Sequence, residues 1–264
     1  MRFRVSRPVP GFRSYRVARD RAGRWHVAFA VAPEPIEAAG TGEVVGVDRG
    51  VAVSAALSTG ELLSCPGLRA SEAARLVRLQ RRLARARRGS NRRARLRSQI
   101  ARVKAREADR RKDWAEKTST DLARRFDLIR VEDLNIRGMT RSARGTIVEP
   151  GRKVRQKSGL NRAILAGGWG LLVQRLEQKA PGRVEKVRAA YTSQRCSVRG
   201  HAAAESRESQ ARFRCVACAS QGNADVNAAR NIAAGRAVTA RGGTALAVPV
   251  NREPQHRAPP LVDV

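Results

Sequence analysis

Apolar and polar positions alternate over residues 12–17 and again over residues 25–31, with the turn-forming Asp20-Arg21-Ala22-Gly23 between them, which predicts a β-hairpin. Pro33 and Pro35 end it. Residues 43–48 then form a short, nearly unbroken apolar run that stops at an acid, Asp48, as expected of a buried central strand. Arg49-Gly50 turns the chain. Residues 51–57 predict a returning strand, Ser58-Thr59-Gly60 a second turn and residues 61–64 a third strand, which makes a meander. From Ser71 the period changes. Leu76, Leu79 and Leu83 recur at helical spacing, Gly89-Ser90-Asn91 interrupts, and Leu96, Ile100 and Val103 resume it. A helical hairpin is predicted, its second arm running on through Trp114, Leu122 and Phe126. Residues 127–132 repeat the pattern of a buried strand closed by an acid, here Glu132. Beyond it the pattern predicts a polar, Gly/Lys/Arg-rich loop over 137–159, mobile without a partner, and a single helix over 161–179 with Asn161 as its cap. A strand over 183–187, a cysteine-bearing segment after Tyr191 and a short helix over 225–234 follow. Pro249, Pro254, Pro259 and Pro260 mark the stretch after Gly242 as a disordered tail.

Composition narrows what such a chain meets. With 264 residues, 42% of them hydrophobic, it can bury a core. Its 54 Lys and Arg against 23 Asp and Glu leave +31, a field that calls for an anionic partner, and nucleic acid is the natural one. The imbalance is steepest between Arg75 and Lys112, where Glu107 and Asp109 are the only acids. A packing protein of ribosomal or histone type would share this charge but would need none of the acids singled out below. No stretch has transmembrane length, and the opening MRFRVSRPVPGF lacks the apolar core of a signal peptide, so a cytoplasmic, nucleoid-associated protein with no membrane partner is expected. Three of the four cysteines, Cys196, Cys215 and Cys218, share one short segment, which in a reducing compartment suggests metal binding before disulfides; Cys65 stands apart as a small buried residue.

Asp48 and Glu132 end predicted strands and Asp225 opens a predicted helix. Hydrolysis of a phosphodiester builds negative charge on the phosphoryl oxygens and the leaving group. Divalent ions held by converging carboxylates neutralise that charge, and Mg²⁺ or Mn²⁺ is content with oxygen ligands. An acid at a strand end is more often a turn-former or an ion-pair partner, so position alone does not assign the role.

The strings Gly46-Val47-Asp48-Arg49-Gly50, Val131-Glu132-Asp133-Leu134-Asn135-Ile136, Thr192-Ser193-Gln194-Arg195-Cys196-Ser197, Phe213-Arg214-Cys215-Val216-Ala217-Cys218 and Ala224-Asp225-Val226-Asn227-Ala228-Ala229-Arg230-Asn231-Ile232 resemble, in order, the motifs of the TnpB/OrfB proteins of insertion sequences, relatives of the type V CRISPR effectors. Lys157-Ser158-Gly159-Leu160-Asn161 before the helix with Trp169 adds to the likeness, which runs from about Phe12 to Ala234. The resemblance implies an α/β, RNase H-like (RuvC) mixed sheet with an inserted Arg-rich helical hairpin and a zinc-ribbon-like insertion, acting as a transposon-associated, RNA-guided DNA endonuclease. It implies Asp48, Glu132 and Asp225 as catalytic, Mg²⁺-binding (or Mn²⁺-binding) carboxylates. Guide RNA and target DNA are the implied partners, with Arg78, Arg82, Arg85, Arg92, Arg95 and Lys157 as candidate contacts. The domain division that follows is a wedge-barrel remnant over 1–38, a nuclease core over 39–190 with the helical hairpin at about 71–125, a zinc-ribbon-like segment over 191–221, a closing helix over 222–242 and the tail over 243–264.

Two departures qualify that expectation. The family pairs two Cys-x-x-Cys motifs, but Arg199 stands where the second cysteine of the first pair belongs, and arginine cannot ligate; Cys196, Cys215 and Cys218 then need His201 as a fourth Zn²⁺ ligand. Only about forty residues precede Asp48, where relatives carry a long recognition portion. A truncated, catalytically incompetent DNA- or RNA-binding remnant is therefore the alternative expectation.

Overall fold

The computed structural model describes residues 8–9, 11–188 and 190–235. The expected tail over 243–264 and the end of the closing helix segment lie outside the described residues.

The first hairpin pairs β1 (Ser14–Arg19) with β2 (Trp25–Ala30) in antiparallel register, Arg19 opposite Trp25. Asp20 ties its turn by accepting from the backbone N–H of Ala22 and Arg24.

The main sheet has five strands, β3 (Val44–Asp48), β4 (Ala55–Leu57), β5 (Leu62–Leu63), β6 (Leu128–Glu132) and β7 (Val184–Val187), in the order β5-β4-β3-β6-β7. β3, β6 and β7 run parallel while β4 and β5 return antiparallel, so the sheet is mixed. The returning strand is shorter than its alternation predicts. Only its last three residues pair, and residues 51–54 are bent, with Val51 exposed. Gly50 explains part of this bend, since its carbonyl accepts from the indole of Trp169 at 3.2 Å and holds the loop to a helix instead of the sheet.

Two helices form the basic hairpin, α1 (Ala70–Arg85) and α2 (Asn91–Arg125). Leu76, Leu79, Leu96 and Val103 close the seam between them. Ser90 caps α2 by accepting from the N–H of Arg93, and the Arg93 guanidinium returns to the carbonyls of Leu83 and Ala86 at the end of α1. Glu72 and Arg110 make a bidentate pair at 2.6 and 2.8 Å that fixes the open end. At 35 residues α2 is about 52 Å long. Its first half packs on α1, and its second half, through Leu122 and Ala123, packs on the sheet.

After β6 the structure corrects two expectations. The segment predicted as loop contains a short helix, α3 (Ile136–Met139), and the start of α4 (Val154–Ala166). The single helix expected over 161–179 is two, α4 and α5 (Trp169–Lys179), broken at Gly167-Gly168, where Gly168 takes φ +71. Asn161 is consequently inside α4. Its carboxamide donates to the carbonyls of Thr140 and Arg141 and ties α4 to the chain after α3.

The last elements are a two-stranded ribbon, β8 (Arg212–Arg214) with β9 (Gln221–Asn223), and α6 (Ala224–Ala233), capped by Asn223. Strand alternation sends Val45, Val47, Ile129 and Val131 to the face covered by α2 and α5, where Leu122, Phe126, Leu172 and Leu176 complete the core. Gly46, Asp48, Arg130 and Glu132 face the other way, under α6. The sheet is thus closed on both faces, and the α6 face carries the acids.

Candidate active site

Val47 pairs with Val131 in the parallel ladder of β3 and β6, so the next residues, Asp48 and Glu132, leave adjacent strand ends on the same face. Ligands of open sheets meet the protein at this end of parallel strands. Asp225 arrives from the first turn of α6, its Oδ2 within 3.9 Å of the point where a β-carbon on Gly50 would sit. Three acids from distant parts of the chain therefore share one space.

Burial is nearly complete, with Asp48 9% and Glu132 8% exposed. Burial first, and then repulsion from Glu132 and Asp225, pushes the Asp48 carboxyl up to about 7, against some relief from Arg207 and Arg49. Burial also raises Glu132, while the Thr192 hydroxyl, donating to Oε1 at 3.1 Å, and Arg49 pull it back. The acids offer oxygen donors of the kind a hard divalent cation takes, with the guanidinium groups of Arg49 and Arg207 as the positive charge already beside them.

Three further residues belong here that sequence reasoning did not single out. Arg207 places Nη2 3.2 Å from Asp225 Oδ1. Arg49 is buried, donates to the Glu132 carbonyl and, among the described residues, leaves its Nε without a partner. Thr192 orients Glu132. Arg49 and Thr192 stand inside quoted motifs and could have been marked by adjacency. Arg207 lies in a segment with no periodicity or motif to flag it.

Cys196, Cys215 and Cys218 form the second centre, their sulfur atoms all within 4.8 Å of one another and Cys196 to Cys218 at 3.8 Å. Burial raises the Cys215 thiol, but the backbone N–H groups of Ala217 and Cys218 and the neighbouring thiols outweigh it, and the net shift is downward, toward the thiolate a metal needs. Two turns of the same design hold these residues. Cys215 N–H donates to Ser220 O and Ala219 N–H to Cys215 O; likewise Cys196 N–H donates to His201 O and Gly200 N–H to Cys196 O, each at 2.8 to 2.9 Å. By this correspondence Arg199 occupies the place of Cys218 and His201 that of Ser220. His201 is exposed and does not join the thiol group.

The basic candidates lie on α1, α2 and α4. Arg78, Arg82 and Arg85 are exposed along α1, and Arg92 and Arg95 are exposed at the start of α2. From Arg75 to Arg106 there are 14 basic residues and no acid. Lys157 is half-buried in α4 and donates to the Met139 carbonyl at 2.5 Å. No described helix is long and apolar enough to cross a membrane.

A mixed sheet with acids at neighbouring strand ends, a thiol knuckle and a dense basic hairpin are shared ground on which known transposon proteins can be set beside this chain. The family described as a probable transposase, OrfB_IS605, matches residues 14–143, and the Cas12f1-like TNB domain matches residues 169–232. The chain is thus similar to proteins of this family over just under half of its length. A protein of Escherichia coli (strain K12), provisionally named RNA-guided DNA endonuclease InsQ, is 40% identical over 249 residues, covering 92% of this chain and 61% of its own length. A provisionally named RNA-guided DNA endonuclease of Streptomyces pristinaespiralis is 36% identical over 251 residues, 90% of this chain and 58% of its own. The chain thus spans about three-fifths of these relatives. The CRISPR-associated endodeoxyribonuclease Cas12f1 of Sulfoacidibacillus thermotolerans is 50% identical over 56 residues, 21% of this chain and 13% of its own. Among solved structures, a Cas12f1–sgRNA–target DNA complex aligns with a TM-score of 0.42 at 19% identity over 82% of this chain and 55% of that one.

Proposed function

We propose that the chain is an RNA-guided DNA endonuclease of TnpB type with an RNase H-like (RuvC) core, in which Asp48, Glu132 and Asp225 hold Mg²⁺ or Mn²⁺. The convergence of these three acids under α6 is the observation that carries the reading. When bound, the cations supply charge neutralisation at the phosphate and activation of water. The chain's own residues do the rest. Thr192 holds the Glu132 carboxylate in one orientation, Arg49 fixes the end of β6 through the Glu132 carbonyl, and Arg207 sets a guanidinium at the edge of the acids, where a phosphodiester would pair with it. The exposed arginines of α1 and α2 hold guide RNA and target DNA through their phosphates, which positions the duplex without reading its sequence.

The direct test is to sequence RNA that co-purifies with the chain and supply DNA bearing the matching sequence with Mg²⁺. Cutting should follow that sequence and stop with a chelator. RNA-independent cutting, or none at all with RNA and target bound, would overturn the proposal, the latter in favour of a binding-only remnant.

Changing Arg78, Arg82, Arg85, Arg92 and Arg95 together to Gln is expected to flatten the slope of log affinity against log salt by roughly 3.5 to 4.5, at about 0.7 to 0.9 per phosphate contact. An unchanged slope in filter-binding titrations would place nucleic acid elsewhere.

The thiol centre is proposed as a structural zinc site of Cys196, Cys215 and Cys218, with His201 as the residue that must swing in for a protein-only fourth ligand. Because Arg199 already occupies a knuckle position, Arg199→Cys should tighten zinc by about tenfold or more in a competition titration with a chromogenic chelator. Equal affinity would show that the first turn does not face the metal.

A further inference from the structure

Cys196 and Glu132 are held by one short stretch of chain, and that stretch is held in turn by the helix carrying Asp225. Asn227, one turn into α6, donates from Nδ2 to the Arg195 carbonyl at 2.7 Å and accepts at Oδ1 from the Ser197 N–H at 3.0 Å. Asn231 donates to the carbonyls of Thr192 and Arg195 at 2.9 and 2.7 Å. These bonds bracket Cys196 on both sides and anchor the backbone of Thr192, whose hydroxyl meets Glu132. Both asparagines are buried, 6% and 3% exposed, and asparagine is a poor residue for a helix interior, so α6 carries them at a cost to its own stability.

We infer that Asn227 and Asn231 are positioning residues that couple the thiol knuckle to the carboxylate site, so that order at one centre sets geometry at the other. The inference rests on the carboxylate reading above. Its mechanism is mechanical: α6 is a continuous helix, and a displacement of the segment from Thr192 to Ser197 moves either Asp225 through the helix or Glu132 through its hydroxyl partner. Linkage then requires reciprocity: a cation at the acids favours the ordered knuckle by the same free energy by which the ordered knuckle favours the cation, and slower thiol modification is its readout.

The test uses the full chain in a Cys65→Ser background, Mn²⁺ alone as the cation and a chromogenic aromatic disulfide as the thiol probe. Saturating Mn²⁺ should slow thiol modification about fivefold or more, and Asn231→Ala and Asn227→Asp should each weaken Mn²⁺ binding, read by electron paramagnetic resonance, by about tenfold. A purely architectural role would lower the melting temperature of the variants and leave Mn²⁺ protection of the parent's thiols absent. If Mn²⁺ binds the parent with no effect on its thiols, the coupling is refuted while the carboxylate site stands. If the parent takes up no Mn²⁺, the carboxylate reading itself fails and the coupling with it. Should a variant not fold, protection in the parent decides.

Discussion

Asp48→Ala is expected to cut guide-directed DNA cleavage by at least about 10³-fold, equivalent to roughly 4 kcal/mol of transition-state stabilisation. Nucleic-acid affinity should stay within about twofold, since the phosphate contacts proposed on α1 and α2 lie on other elements. Asp48 gives the largest effect of the three acids because it sits between the other two. It leaves the strand end next to that of Glu132 in the β3–β6 ladder and feels Asp225, and both raise its proton affinity. The variant also separates lost chemistry from lost fold. In chelator-treated protein at neutral pH the parent holds repelling carboxylates in a buried space, so removing one should leave the melting temperature unchanged or raise it. Cleavage within tenfold of the parent by the folded variant would remove Asp48 from the reaction. A large fall in melting temperature would instead make it an architectural residue.

The strands bearing Asp48 and Glu132 were legible because each is a buried run with an acid at its end, a pattern that parallel central strands impose on any sequence. The basic hairpin was legible from its leucine period and from the glycine-serine break that became the Ser90 cap. What the sequence hid is what only packing decides. Gly167-Gly168 reads equally well as a tolerated interruption or a break, and the indole of Trp169 bonding to Gly50 settles it as a break. Asn161 has cap chemistry, yet its carboxamide serves carbonyls about twenty residues away in sequence. Arg207 reaches Asp225 across the β8–β9 ribbon, 18 residues along the chain, a separation at which neither period 2 nor period 3.6 carries information. The cysteine spacing announced a thiol cluster, but the equivalence of Arg199 with Cys218 emerged only from the matching turn hydrogen bonds.

Gly46→Ala should destabilise the fold by about 3 kcal/mol or more, because the strand that carries Asp48 and the helix that carries Asp225 meet backbone to backbone at this residue. A β-carbon on Gly46 would lie 2.0 Å from the Ala229 carbonyl oxygen and 2.4 Å from the Ala233 nitrogen, both in the backbone of α6. Neither atom can rotate aside as a side-chain end could. The helix must move off the sheet, and the buried contacts of Ala228, Ala229 and Ile232 go with it. For a chain of this size the melting temperature should fall by roughly 6 to 12 °C. Separation of α6 from β3 also carries Asp225 away from Asp48 and Glu132, so Mn²⁺ affinity should fall in whatever fraction remains folded. Close approach of a glycine-bearing strand to a helix is thus what assembles three acids that the chain keeps far apart. If calorimetry placed the variant within 2 °C of the parent with Mn²⁺ binding intact, the strand and helix would have room between them, and the acids would need another explanation for their meeting.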